Sequence, residues 1–91
     1  MSSVDVTALG DNRYRVEVAD RAGVSRHEVT ASPADVERLG GGAGAERLIA
    51  ASFEFLLERE PKESILSRFD LPVIGRYFPG YEREIRSRLD A

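Results

Sequence analysis

The sequence predicts an α+β protein: a three-stranded antiparallel sheet in the N-terminal third, packed against a central apolar helix and three to four short helices. Three observations carry this. Apolar and polar residues alternate up to about position 31, residues 45–60 are apolar on nearly every side, and Pro and Gly cut the remainder into short helical pieces.

Val4, Val6 and Ala8 alternate with Asp5 and Thr7, and Tyr14, Val16 and Val18 alternate with Arg13, Arg15 and Glu17 across the turn pair Asp11-Asn12. Both segments read as half-buried antiparallel strands. Asp20-Arg21-Ala22-Gly23 suits a short hairpin loop with Gly23 at a positive φ, leading to a third strand over residues 24–31. Ser32 and Pro33 then open a helix over 33–39. The serine oxygen can accept a free backbone N–H, and Pro33 has no N–H to leave unpaired. Asp35 adds favourable charge there, Val36 and Leu39 face inward, and the glycines from Gly40 to Gly44 end the helix.

The central helix over 45–60 carries Leu48, Ile49, Ala51, Phe53, Phe55, Leu56 and Leu57 around most of its circumference. Glu46, Ala50, Glu54 and Glu58 mark its solvent face. After Pro61, residues Ile65, Leu66 and Phe69 have the spacing of an inward helical stripe. Asp70 is placed to cap a helix over 71–78 whose Val73, Ile74, Tyr77 and Phe78 face inward. Pro79-Gly80 breaks the chain again, and Tyr81, Ile85 and Leu89 predict a final amphipathic helix.

Length and composition narrow the function. The 91 residues favour one globular domain spanning 1–91, with 42% apolar and 32% charged residues, as in ordered proteins. The absence of cysteine excludes disulfides, thiolate catalysis and thiolate metal sites. No basic segment followed by an apolar run opens the sequence, and no window nears the roughly 18 apolar residues of a spanning helix, so a cytoplasmic location away from membranes is expected. The net charge is −3, with residues 1–30 at −1, 31–60 at −3 and 61–91 at +1. That balance disfavours nucleic acid as a partner.

Each reactive pattern has a plainer reading. The stretch from Gly40 to Ala45 matches a dinucleotide fingerprint in letters, but a helix rather than a strand precedes it, so an interhelical connection is expected. Glu54 and Glu58 lie one turn apart as in two-metal bundles, yet no further inward Glu or His joins them; a solvated stripe, with Glu58 able to pair with Lys62, is expected and no metal or cofactor. His27 shares strand parity with Val29 and Ala31, where it could act as a base or pH sensor. No nucleophile accompanies it, and a structural role is favoured. Ser52, Ser64 and Ser67 sit in segments read as helical, without a nucleophile elbow. Tyr77, Phe78 and Tyr81, beside Arg76 and Arg83, have the composition of an interface hot spot, but they coincide with the inward stripe and read as a packed corner.

The stretch from Ala51 to Ile85, ASFEFLLEREPKESILSRFDLPVIGRYFPGYEREI, resembles a small uncharacterised prokaryotic protein family of about this length. The resemblance implies a prokaryotic protein and no particular activity. HEVTASPADVERL followed by ERLIAASFEFLLE is similar to the strand and helices of ribbon-helix-helix regulators, in which strands of two chains pair and enter the major groove. That resemblance implies Arg26, Glu28 and Thr30 as base-facing residues; a helix-turn-helix over 64–78 is a minor variant.

The expected function is a small non-enzymatic protein-interaction or accessory domain, monomeric or homodimeric. A DNA-binding regulator or antitoxin-type protein is the alternative, and a small enzyme or ligand-binding domain using His27 the second. The candidate contact surface comprises Arg76, Arg83, Arg86 and Arg88 toward the C-terminus, or the sheet's edge and outer face with Arg13, Arg15, Glu17, Arg26 and Glu28.

Overall fold

Alternation and turn chemistry set the first half of the computed structural model, which describes residues 2–90. Strands β1 (Ser3–Gly10), β2 (Arg13–Asp20) and β3 (Gly23–Thr30) form an antiparallel meander, with Val6 opposite Val16 and Val16 opposite His27. Asp11 and Asn12 both adopt positive φ, 54° and 62°, as the mirror-image two-residue turn requires. A bulge at Leu9 shifts the β1–β2 register just before that turn. At the second hairpin the Asp20 carboxylate accepts the Ala22 N–H at 2.8 Å, and Gly23 takes φ 135°, as expected.

The sheet has a fourth strand that the sequence reading missed. Strand β4 (Arg68–Asp70) runs parallel to β3, pairing Val29 with Phe69, so the sheet is four-stranded and mixed in the order β1-β2-β3-β4. The Glu28 N–H donates to the Ser67 carbonyl and the Leu71 N–H to the Thr30 carbonyl, each at 2.8 Å. The predicted helix through Ile65, Leu66 and Phe69 is replaced by a single 3-10 turn, Lys62–Ser64, and extended chain. The free edge of β3 at Glu28–Thr30 offers this segment backbone partners, which outweigh a helical spacing of three apolar residues. The α+β class holds, with one more strand than predicted.

Helix α1 (Pro33–Gly40) starts as expected, with the Asp35 N–H donating to the Ser32 Oγ at 3.1 Å. The glycines that follow are not merely slack: a Cβ on Gly40 would lie 3.3 Å from the Leu48 Cβ, so α1 and the next helix meet closely there. Helix α2 (Ala45–Leu57) buries Leu48, Ile49, Ser52, Phe53, Phe55 and Leu56. It ends three residues before the predicted boundary, where the Arg59 and Glu60 N–H groups both turn back to the Leu56 carbonyl ahead of Pro61.

Helices α3 (Val73–Tyr77) and α4 (Tyr81–Asp90) complete the layer over one sheet face. Asp70 does not cap α3; it lies in β4, where its carboxylate accepts the Thr30 hydroxyl at 2.8 Å. Pro72 occupies the cap position without a side-chain hydrogen bond. Tyr81 and Ile85 are fully buried, whereas Tyr77, predicted to face inward, is 67% exposed. One core joins Val16, Val18 and Val29 of the sheet to Leu39, Phe53, Leu71 and Ile85. Among the described residues no helix is long and apolar enough to cross a membrane.

Candidate interaction site

The predicted arginine surface separates into fastened and free side chains. Arg86 donates twice to the Arg38 carbonyl, at 3.2 and 3.1 Å, tying α4 to the end of α1. Arg88 pairs with Glu84 at 3.1 Å and reaches Glu58 at the end of α2, just past its last turn, and its guanidinium holds the Glu58 carboxyl below its ordinary pKa. Glu58 therefore pairs with Arg88 and Arg59 rather than with Lys62, the partner its sequence spacing suggested. Lys62 is instead only 3% exposed and bridges to Asp20 at 2.8 Å and to Glu63, locking the 3-10 turn to the β2–β3 hairpin. Arg76 and Arg83 are exposed and have no ion pair within the described residues.

On the outer sheet face, Arg13, Arg15, Arg26 and Arg68 alternate with Asp5, Glu17, Glu28 and Asp70. Arg26 binds Glu17 at 3.0 Å, while Arg13 and Arg68 lie 3.7 and 4.0 Å from Glu28. Such a balanced face attracts phosphate weakly. At Glu28 and Thr30 the ribbon-helix-helix geometry is also unavailable, because β3 there pairs with β2 on one side and β4 on the other; Arg26 lies before the stretch that β4 covers. The helix-turn-helix over 64–78 falls with it, since β4 stands where its first helix would be.

His27 is 4% exposed and bonded at both nitrogens. Its Nδ1 lies 2.8 Å from the Leu66 carbonyl, which can only accept, so Nδ1 carries a proton; Nε2 is hydrogen-bonded to the Ser25 hydroxyl at 2.8 Å. The ring also packs 5.3 Å from the Phe53 ring. This histidine holds the chain around Leu66 in place, with both ring nitrogens occupied inside the protein.

Beyond that hydrogen bond lies a site the sequence did not reveal. Leu56 from the end of α2, Ile65, Phe69 from β4 and Ile74 from α3 form the floor of an apolar groove of about 340 Å³. Leu66 and Tyr77, 49% and 67% exposed, stand at its sides, and Glu60 and Ser64 supply its polar groups. Glu60 makes no ion pair within the described residues. Pro61, the 3-10 turn and β4 create this wall. Pro61 stops α2, the turn redirects the chain, and pairing of Phe69 into the sheet leaves Leu66 outside the core. The sequence signal was present as Leu66 and Tyr77 themselves, but helical periodicity assigned both inward. The arrangement suits capture of apolar side chains beside a cation, because large apolar groups converge around one unpaired carboxylate. Among the described residues no cluster of three or more His, Asp or Glu is placed to hold a metal.

Compared with protein-family models, curated proteins and solved structures, the chain matches none.

Proposed function

We propose that this protein is a small interaction module, without chemistry of its own, that seats an apolar partner segment carrying a basic residue in the groove between Leu66 and Tyr77. The observation that carries the reading is the pairing of two large exposed apolar side chains with a 340 Å³ apolar groove between them. Covering such side chains contributes about 1.5 to 3 kcal/mol each when burial is complete. Part of that gain offsets the ordering of the partner, so two anchors and one rim charge support a transient, micromolar association. Glu60 fixes orientation by favouring Lys or Arg over Asp or Glu at one end of the segment.

Selection from random peptides tests this without a partner in hand. A peptide library displayed on phage and selected on the protein is expected to enrich closely spaced Leu, Ile, Phe or Trp together with a basic residue. The enriched peptides should bind Tyr77→Ser at least about tenfold more weakly, the loss expected when one aromatic anchor is removed. Enrichment of peptides that bind Tyr77→Ser and Leu66→Ser as well as they bind the natural sequence would overturn the proposal.

A further inference from the structure

We propose that the partner enters as an added strand along the open edge of β4, an inference that rests on the groove between Leu66 and Tyr77 as the binding surface. Strand β4 closes one side of the sheet, and no strand pairs with its outer edge among the described residues. The Ser67 carbonyl and the Leu71 N–H both face β3, where they bond Glu28 and Thr30. Backbone groups of successive strand residues point to alternate sides, so Phe69 also turns its N–H and carbonyl to β3. Arg68 and Asp70 turn theirs outward, and neither makes another backbone hydrogen bond within the described residues. Four backbone groups in line therefore await an extended chain.

The side chains along this edge define the partner's pattern. Phe69 lines the groove, whereas Arg68 and Asp70 lie on the opposite, outer face and are exposed. A residue of the added strand opposite Phe69 faces the groove, as do those two places to either side. The residues opposite Arg68 and Asp70 stand on the outer face. There an acidic residue suits Arg68, whose nearest carboxylate is Glu28 at 4.0 Å, and a basic residue suits Asp70, which has no ion pair within the described residues. In the antiparallel direction, the more stable of the two per residue, the partner reads apolar, basic, apolar, acidic, apolar. The basic residue that Glu60 favours is a separate one, because Glu60 lies on the groove side.

A second copy of β4 would match the same charges, since antiparallel pairing about Phe69 sets Arg68 against Asp70. The residue it sets opposite Phe69 is another Phe69, held in its own core at 9% exposure and unable to reach across. A foreign strand has no such tie, so the occupant is a segment of another protein.

A capped synthetic peptide, Leu-Lys-Phe-Glu-Leu, is the probe, titrated into the isotope-labelled protein. At saturation the Arg68 and Asp70 amides should exchange with solvent at least about tenfold more slowly, as new hydrogen bonds cover them. In the antiparallel register the N–H groups of the peptide's Lys and Glu face β4 and that of its Phe faces away. N-methylation of Lys or Glu should therefore weaken binding at least about tenfold, and N-methylation of Phe by less than about threefold. Unchanged exchange at Arg68 and Asp70, N-methylation effects that do not depend on position, or no binding at millimolar peptide would each overturn the added strand. A mass of twice 10.1 kDa with both amides already protected in the free protein would assign the edge to a second copy and overturn it too. Tyr77→Ser separates the two readings. Selected peptides that need Tyr77 but respond equally to N-methylation at every position would remove the strand and keep the groove. A probe that binds Tyr77→Ser normally, with the expected N-methylation pattern, would keep the strand and remove the groove.

Discussion

Tyr81 illustrates how one side chain couples burial to chemistry. Its hydroxyl lies 2.7 Å from the Ser52 Oγ, and Ser52 gives its own proton to the Leu48 carbonyl at 2.8 Å, so Tyr81 must be the donor. Burial pushes the phenol up from its ordinary 10.0 to about 12. The folded state therefore holds this proton more tightly than the unfolded chain does. Its contribution is complete below the unfolded value and is lost as pH rises from 10 toward 12, by about 3 kcal/mol in all. Chemical denaturation of the natural protein and Tyr81→Phe at neutral and alkaline pH should show the variant losing distinctly less stability across that window. Equal losses would remove Tyr81 from the account. His27 acts at the same scale on the groove. In His27→Ala the part-buried Leu66 carbonyl loses its donor, which costs about 1 kcal/mol and loosens the Leu66 wall. The melting temperature should fall, and peptide binding at the groove should weaken with it; a drop in neither would show that the histidine supports nothing.

At the scale of elements, α2 joins the sheet to α1 and α4. Phe53 touches His27 and Phe69 at centroid distances of 5.3 and 5.9 Å, while Phe55 meets Phe78 and Tyr81 at 5.9 and 5.4 Å and carries Arg59 over its ring at 3.6 Å. Phe53→Ala should cost about 3 to 5 kcal/mol, a large part of the total for a chain of this size, and urea denaturation should show a correspondingly lower midpoint. An unchanged midpoint would contradict the central place of this helix. The hairpins and α2 were legible in the sequence because eight-residue strands and a thirteen-residue helix are long enough to display their periods. Strand β4 spans three residues, too few for a period of two to appear, and what makes it a strand is the unfilled edge of β3, a partner distant in sequence. Helix α3 likewise has five residues and fully buries Ile74 alone, so its apparent inward stripe leaves Tyr77 outside. The groove escaped notice for the same reason, since its flanking residues lie in or beside these short elements. Arg76 and Arg83 are exposed as the sequence suggested, while Arg86 and Arg88 are bound to α1, α2 and their own helix by partners that no local pattern shows.

The whole molecule is one sheet with helices on one face, and its radius of gyration of 12.1 Å matches the roughly 12 Å of a compact chain of this length. That arrangement leaves different surfaces. The outer sheet face has its charges largely matched, the outer edge of β1 pairs with no strand among the described residues, and the groove beside α3 is apolar with an unpaired carboxylate. The last gathers large apolar side chains around the space for a foreign one, which makes it the centre of the proposed function. The most direct measurement is amide chemical-shift mapping of the tightest selected peptide on the isotope-labelled protein. Saturable shifts centred on Leu66, Phe69, Ile74 and Tyr77 are expected, reduced when Glu60→Gln removes the rim charge. Saturable shifts centred instead on the outer sheet face or the β1 edge, with the groove residues unmoved, would contradict the proposed function.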